Sequence, residues 1–271
     1  MNSLDKIIQR KKEIQSSLII GLDTDINKIP EFFLRSSDNP IYDYNKLIIE
    51  LTKELTLGYK LNIAFYELSG PTGYIAFEKT LELLTEEVIT IADVKRGDIR
   101  NTNRMYAGYY FEKLNFDAVT VSPYMGVESL QPFFQVKGKL TYVLARTSNP
   151  GAEDFQTLKS NGKFLYELVI EKFIETGCDS VGFVVGANYP ELINKLTTSY
   201  SNLSLLIPGI GAQGNDVEIL TKSIGNPYCL VNVSRAIIFP VRETHNLDDL
   251  RNSIFSAAQF YKDSLPAFPT S

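Results

Sequence analysis

The chain has 271 residues with 27 Lys+Arg, 32 Asp+Glu, one histidine and two cysteines, and its formal net charge is −5. A single histidine excludes any two-histidine metal site, and two cysteines exclude a four-cysteine zinc site. Acid–base chemistry would therefore fall to Lys, Asp, Glu or Tyr. The mildly acidic balance gives no general reason to expect binding of nucleic acid.

The predicted elements begin with an amphipathic helix over residues 1–16, a stretch too charged for a signal peptide. Eight short apolar or β-branched runs then predict strands near Leu18–Leu22, Tyr59–Ala64, Val88–Val94, Ala118–Ser122, Leu140–Ala145, Ser180–Val185, Ser204–Pro208 and Leu230–Ser234. Amphipathic stretches between them predict helices over Tyr44–Leu57, Thr102–Leu114, Phe164–Thr176, Pro190–Leu196, Asp216–Lys222 and Leu247–Tyr261. No apolar run approaches the ~20 residues that a membrane span requires. We therefore expect a soluble, cytoplasmic protein.

Strands that alternate with helices predict parallel β/α units, and eight such units close into a (β/α)8 TIM barrel. A doubly wound open sheet is the alternative fold. We expect a single α/β domain over residues 1–271, with residues 1–16 as an extra N-terminal helix and 264–271 as a C-terminal tail. Active sites of barrels collect at the carboxyl ends of the strands, so polar residues at those ends are the candidates for a site.

The third predicted strand ends in the charged run Asp93-Val-Lys95-Arg-Gly-Asp98. Side chains alternate along a strand, so Asp93 and Lys95 are predicted to point to the same side. One interpretation is a structural ion pair that anchors the strand end. The other is a lysine that neighbouring carboxylates keep protonated, able to act as a general acid or to stabilise developing negative charge. Lys60, at the end of another predicted strand, can join the same cluster.

A glycine-rich segment with Gly209, Gly211 and Gly214 follows the seventh predicted strand. It matches the pattern G-x-G-x-x-G, but a dinucleotide site is only weakly indicated, because the segment lies late in the chain and the next strand supplies no acidic residue. A phosphate site is the better functional interpretation, since barrels often build one after strands seven and eight. Arg235, after the eighth strand, would clamp the phosphate. The alternative is a tight structural turn.

Two further polar residues lie outside these motifs. Ser148 precedes the turn signal Asn-Pro-Gly after the fifth predicted strand, and it either faces the site or starts the turn. His245 lies in a polar stretch before the last predicted helix. We expect His245 to be a bystander.

Together these residues resemble the orotidine 5′-phosphate decarboxylase family. The matching motif is Asp-x-Lys-x-x-Asp followed four residues later by Thr, here Asp93, Lys95, Asp98 and Thr102. Supporting segments occur in family order over nearly the whole chain: Gly21-Leu22-Asp23, the Lys60-x-Asn run to Glu67, the Ser148-Asn-Pro-Gly run to Glu153, the Pro208-Gly-Ile-Gly-Ala-Gln213-Gly run and Ser234-Arg235. The resemblance is to the longer bacterial-type branch. Asp-x-Lys-x-x-Asp alone also occurs in related sugar-phosphate decarboxylases.

The resemblance implies conversion of orotidine 5′-monophosphate to UMP and CO2 without a metal or organic cofactor, as the last step of de novo pyrimidine synthesis. It implies a charge network of Lys60, Asp93, Lys95 and Asp98, with Lys95 as the proton donor. It also implies the following substrate-binding residues: Asp23, Thr102, Ser148, Gln213, Gly214, Ser234 and Arg235. A homodimer of barrels is implied, in which Asp98 and Thr102 reach the partner's site. Two alternatives are a related barrel decarboxylase or aldolase for another sugar phosphate, and a non-catalytic module that binds a phosphorylated ligand.

Overall fold

A closed barrel of eight parallel strands forms the centre of the molecule, which a computed structural model describes over residues 2–211, 217–240 and 246–269. The strands are β1 Leu18–Leu22, β2 Gly58–Asn62, β3 Ile89–Arg96, β4 Ala118–Val121, β5 Leu140–Arg146, β6 Val181–Val185, β7 Leu205–Pro208 and β8 Cys229–Val233. Strands that are consecutive in the chain are adjacent in the barrel, and pairing of β1 with β8 closes it. The (β/α)8 prediction is confirmed. The doubly wound alternative is wrong, because closure leaves no edge strand.

Helices connect and cover the strands. They are α1 Ser3–Ile14, α2 Glu31–Leu34, α3 Pro40–Thr52, α4 Ile63–Glu67, α5 Gly70–Glu82, α6 Arg100–Ala107, α7 Val127–Phe134, α8 Leu165–Ile174, α9 Pro190–Ser199, α10 Val217–Ser223, α11 Arg235–Ile238 and α12 Leu247–Ser264. A π-helical turn, Gly108–Lys113, continues α6, and a two-stranded hairpin of Lys159–Ser160 and Lys163–Phe164 follows β5. In the described parts of the chain, no helix is both long and apolar enough to span a membrane.

Five helices in the described part of the chain had no predicted counterpart. Three of them, α2, α4 and α11, are only four or five residues long. The other two contain proline, since α5 begins with Gly-Pro-Thr-Gly and α7 contains Pro132. In α5 the proline lies in the first turn, where its missing N–H removes no internal hydrogen bond. In α7 it lies inside the helix, two residues before the end. The predicted helix Tyr44–Leu57 instead covers Pro40–Thr52, because the side chain of Asn39 caps it by accepting a hydrogen bond from Tyr42 N.

Two apolar layers hold the barrel together. The larger layer lies between the strands and the outer helices, and the smaller one fills the barrel interior. Ile7 and Ile14 of α1 belong to the interior layer. Helix α1 lies across the amino ends of the strands, where Ser3 Oγ donates to the carbonyls of Asp117 and Gly138, just before β4 and β5. The N-terminal helix therefore closes the bottom of the barrel and leaves the opposite end open.

Lys11 of α1 is a fully buried cation at this closed end. Its Nζ donates to Ser17 Oγ at 2.8 Å, to the carbonyl of Cys229 at 2.8 Å and to the carbonyl of Ala267 at 2.9 Å. Burial lowers the pKa of Lys11 to about 8, despite a smaller opposing effect from Cys229. Lys11 thus joins the N-terminal helix, the first residue of β8 and the C-terminal segment.

Candidate active site

A cavity of about 280 Å³ opens at the carboxyl ends of the strands. Seven of the residues predicted from the sequence line it: Asp23, Lys60, Asp93, Lys95, Ser148, Ser234 and Arg235. The rest of its lining consists of Asn62, Thr120, Leu144, Thr147, Asn149, Val184, Leu206, Pro208, Gly209, Ile210 and Asn232. Barrel closure brings these strand ends together, so residues separated by more than 200 positions share one pocket.

Asp93 is the centre of the charge network. Its Oδ2 lies 2.7 Å from Lys60 Nζ, and its Oδ1 lies 2.6 Å from Lys95 Nζ. Lys60 Nζ also lies 3.5 Å from Asp23 Oδ1. The side chains of Lys60 and Asp93 are 5% and 10% exposed, whereas that of Lys95 is 49% exposed. Lys95 is therefore the member of the network that is most accessible to an entering ligand.

The backbone at Lys95 departs from a regular strand. Its φ of 44° lies in the left-handed region, and the pairing register between β3 and β4 shifts here. The predicted alternation of Asp93 and Lys95 is therefore not the reason that their side chains meet. A non-glycine residue in this region is strained by an amount on the order of 1 kcal/mol, and such strain is often found at functional sites.

Thr120 of β4 supports this strained segment. Its Oγ1 accepts hydrogen bonds of 3.0 Å from the backbone N–H groups of both Val94 and Lys95, and it donates to Asp93 Oδ1 at 2.9 Å. The hydroxyl of Thr120 thus positions both the backbone at Val94 and Lys95 and the carboxylate of Asp93.

The network keeps its charges despite burial. Burial alone would raise the pKa of Asp93, but Lys60 and Lys95 outweigh it and the pKa is lowered well below its usual range. Burial alone would lower the pKa of Lys60, but Asp23 and Asp93 outweigh it and the pKa is raised. The site therefore holds an ionised carboxylate between cations at neutral pH.

Asp23 and Ser234 join the first and last strand ends across the point of barrel closure. Ser234 Oγ lies 2.6 Å from Asp23 Oδ2 and 2.9 Å from the carbonyl of Gly21. Asp23 therefore contacts Ser234 through one oxygen and Lys60 through the other. This arrangement sets its carboxylate on the cavity wall beside the charge network.

The loop after β5 carries Ser148 and is braced on both sides. The N–H of Thr147 donates to Gln156 Oε1 at 2.9 Å, and Gln156 Nε2 donates back to Thr147 Oγ1 at 2.8 Å. The buried guanidinium of Arg146 pairs with Glu153 and lies 4.4 Å from the centroid of the Tyr189 ring. These contacts hold the loop so that Ser148 lines the cavity.

The structure describes only part of the glycine-rich segment that was predicted to bind phosphate. Gly209 and Gly211 have φ values of 107° and 82°, a conformation that favours glycine. Arg235 is the first residue of α11 and lines the same cavity. Gln213 and Gly214 lie outside the described residues, as does His245. A turn that requires glycine and an arginine thus meet where the motif predicted an anion site.

Asp98 and Thr102 do not line the cavity of their own chain. Asp98 follows β3, and its Oδ1 accepts from the N–H of Ile99 at 2.6 Å. Asn103 holds this turn by donating to the carbonyls of Asp98 at 2.6 Å and Ser129 at 2.7 Å. The structure therefore separates these two residues from the network of Asp93, and no hydrogen bond or ion pair among the described residues connects them to it.

Sequence reasoning missed Thr120 and Asn232, which both line the cavity. Each is a polar residue inside an otherwise apolar strand, Ala-Val-Thr-Val and Cys-Leu-Val-Asn-Val. That pattern is a usable signal, because a polar side chain in a barrel interior needs a partner. Within the described residues, no group of three His, Cys, Asp or Glu side chains is arranged to hold a metal ion.

The class of protein follows from these features: a (β/α)8 barrel with a charged cavity of the enzyme type at the carboxyl ends of its strands. A family profile described as the orotidine 5′-phosphate decarboxylase / HUMPS family matches residues 16–239. The chain belongs to this family.

Relatives named orotidine 5′-phosphate decarboxylase support the assignment. The chain is 42% identical to one from Flavobacterium johnsoniae over 261 residues, which is 94% of each chain. It is 47% identical to one from Phocaeicola vulgatus over 239 residues, which is 86% of each chain.

Solved structures of related proteins also support the family assignment. The OMP decarboxylase of Leishmania donovani superposes with a TM-score of 0.79 at 31% identity, covering 97% of this chain and 99% of that one. The UMP synthase of the same organism gives a TM-score of 0.83 at 32% identity. That match covers 97% of this chain and 55% of the synthase, so this chain spans about half the length of that relative.

Proposed function

We propose that this chain decarboxylates orotidine 5′-monophosphate to UMP and CO2, the last step of de novo pyrimidine synthesis. The observation that carries the proposal is the contact of Asp93 with both Lys60 and Lys95 at the end of a cavity that also holds Ser148 and Arg235. Family membership adds independent support. The enzyme is a carboxy-lyase that needs no metal or organic cofactor.

Lys95 acts on the reacting carbon. Loss of CO2 leaves an electron pair on the pyrimidine ring, and a nearby ammonium both stabilises that charge and delivers the proton that replaces the carboxylate. Its 49% exposure and its 2.6 Å contact with Asp93 support this role, since the lysine is reachable and its charge is compensated. Asp93 holds the ammonium in place and lies beside the departing carboxylate.

The remaining groups bind the parts of the substrate that do not react. Asp23 binds the ribose, Ser148 reads the pyrimidine, and Ser234 and Arg235 with Gln213 and Gly214 hold the phosphate. Binding energy from the phosphate can orient the ring without touching the reacting carbon. Lys60 contributes by keeping Asp93 ionised, since it is the more buried of its two cationic partners.

A second copy of the chain completes the site. Asp98 and Thr102 contribute from the partner subunit, a role supported by their position away from their own chain's cavity. Exposed apolar side chains lie close to them in the chain, since Ile99 and Met105 are each 62% exposed, and Tyr124 after β4 is 90% exposed. Burial of such side chains favours association. Mixing inactive Lys95→Ala and Asp98→Ala proteins should restore activity, because exchange creates one intact site per mixed dimer. Unrestored activity would contradict a shared site.

The whole chain, residues 1–271, acts as one domain in the cytoplasm. The closure of the barrel by α1 at its bottom supports the first part of this statement. The second part is supported by two unpaired thiols, Cys178 and Cys229, since proteins of reducing compartments keep cysteines free.

The test is the ultraviolet absorbance of orotidine 5′-monophosphate, followed with catalytic and then stoichiometric amounts of protein. We expect multiple turnovers to UMP that persist in excess chelator. Dependence on added Mg²⁺ with another sugar phosphate as the substrate would favour a related decarboxylase or aldolase. Binding of the nucleotide without its consumption at stoichiometric protein would favour a non-catalytic module.

A further inference from the structure

Asn232 is a buried polar residue with an unmatched hydrogen-bond acceptor. It lies on β8, it is 5% exposed, and it lines the cavity. Its Oδ1 is buried, and within the described residues no group donates a hydrogen bond to it. Burying a carbonyl oxygen without a donor costs about 1–3 kcal/mol. The position therefore carries a penalty that folding alone does not explain.

The surroundings of Asn232 would suit an apolar side chain better. Leu230, two residues earlier on the same face of β8, and Leu206 of the adjacent β7 are buried in the interior layer, and Leu206 lines the same cavity. A β-carbon built on Gly21 of β1 would lie 3.1 Å from Asn232 Oδ1, so the amide oxygen is packed against bare backbone. A leucine would remove the unmatched acceptor and keep a similar volume.

The depth of Asn232 indicates which part of a ligand it faces. Ser234 and Arg235 lie at the carboxyl end of β8, where the phosphate is proposed to bind. Asn232 lies two residues deeper on the same side of the strand, about 7 Å by the rise of a strand. A nucleotide held by its phosphate at the cavity mouth reaches that depth with its heterocycle.

We propose that the carboxamide of Asn232 hydrogen-bonds a polar ring atom of the substrate's pyrimidine and so helps to select it. This rests on the proposed function of the site. A carboxamide offers both a donor and an acceptor, and rotation about its last bond exchanges them, which suits a ring of alternating carbonyl and N–H groups. The same rotation turns Oδ1 away from Gly21 toward the cavity, where ligand binding supplies the donor that the described part of the protein does not provide.

The experiment compares Asn232→Leu and Asn232→Ala with the wild type by calorimetric titration of UMP and, separately, of ribose 5-phosphate, which has no heterocycle. We expect UMP to bind about tenfold more weakly to both variants, while the affinity for ribose 5-phosphate stays the same. In turnover, KM should rise. The thermal midpoint of unliganded Asn232→Leu should not fall. The alanine variant separates loss of the amide from any clash caused by leucine.

Thr141→Val is the matched control, since Thr141 Oγ1 is also a buried, unmatched polar atom of the barrel but does not line the cavity. Its ligand affinities should equal those of the wild type. Unchanged UMP affinity in both Asn232 variants would overturn the proposal, and so would equal weakening of UMP and ribose 5-phosphate. Failure of the wild type to bind UMP would instead overturn the proposed function and this inference together.

Discussion

Two lysines are buried at opposite ends of this barrel, and their surroundings differ in kind. Lys60, below the cavity, contacts the carboxylates of Asp93 and Asp23. Lys11, at the closed end, contacts one hydroxyl and two backbone carbonyls. Burial disfavours the ammonium form of both. Carboxylates outweigh burial only at the open end, so the pKa of Lys60 is raised while that of Lys11 falls to about 8.

The difference suggests different roles for the two lysines. Lys60 belongs to a cluster of charges at the candidate site, whereas Lys11 makes structural hydrogen bonds. A buried ion pair adds little net stability, because desolvation offsets the attraction between its members. We therefore infer that the cluster of Asp93 is kept for its proposed action on a ligand. Lys11 satisfies three acceptors that lie close together in the fold, in segments far apart in the chain. Within the described residues it has no carboxylate partner.

The largest effect is expected from Lys95→Ala, which removes the exposed cation of the open end. We expect kcat for orotidine 5′-monophosphate to fall by at least about 10⁴-fold, since both the proton donor and the stabilising charge are lost. The fold should survive, because the side chain is half-exposed and anchors no other element. Absorbance kinetics and a thermal melt measure the two quantities.

Lys12→Ala is the control for that variant, since Lys12 is an exposed lysine of α1 at the opposite end. Its kcat should equal that of the wild type. Turnover by Lys95→Ala within tenfold of the wild type would contradict the role assigned to Lys95 and would reduce its contact with Asp93 to a structural ion pair.

Much of this site could be predicted because closure of a barrel is a strong constraint. Once eight parallel strands were recognised, Asp23, Lys60, Asp93 and Arg235 had to converge at one end, and they do. The helices were predicted less well where proline obscured their beginnings, as at Pro71 of α5. The local sequence correctly indicates the strands. It also indicates a turn at Pro71, where the structure has the first turn of a helix.

The rest depended on contacts between distant parts of the chain. The left-handed backbone of Lys95 is held by Thr120, 25 residues later, whose hydroxyl accepts hydrogen bonds from the N–H groups of Val94 and Lys95. No local pattern around Lys95 specifies that conformation. The unmatched acceptor of Asn232 likewise becomes visible only when β1 is placed beside β8.

A smaller but still large effect is expected from Lys60→Met. Removing one partner of a buried ion pair leaves carboxylates poorly compensated, so we expect the free energy of unfolding to fall by about 3 kcal/mol and activity to fall with it. The lowered pKa of Asp93 contributes stability above pH about 4 that is lost as the pH falls toward the folded-state value. Urea unfolding at pH 7 and at pH 4 should show a smaller difference between variant and wild type at the lower pH. Equal differences at the two pH values would contradict the assigned pairing.

The smallest effect, and the sharpest contrast, is expected from Lys11→Met. The folded-state pKa of Lys11, about 8, lies below its unfolded value, so the unfolded chain binds more protons and stability rises with pH through this window. The stability of the wild type relative to Lys11→Met should therefore increase by about 1 kcal/mol between pH 7 and pH 9. The neighbouring thiol of Cys229, whose pKa burial raises to about 12, stays protonated in both folded proteins and cancels. Urea unfolding at the two pH values measures the change, and kcat should not alter, because Lys11 lies at the closed end. If the stability of the wild type relative to Lys11→Met stays constant or falls with pH, the pKa of Lys11 is not lowered by burial. That result would mean that nearby groups stabilise the ammonium of Lys11, as carboxylates stabilise that of Lys60.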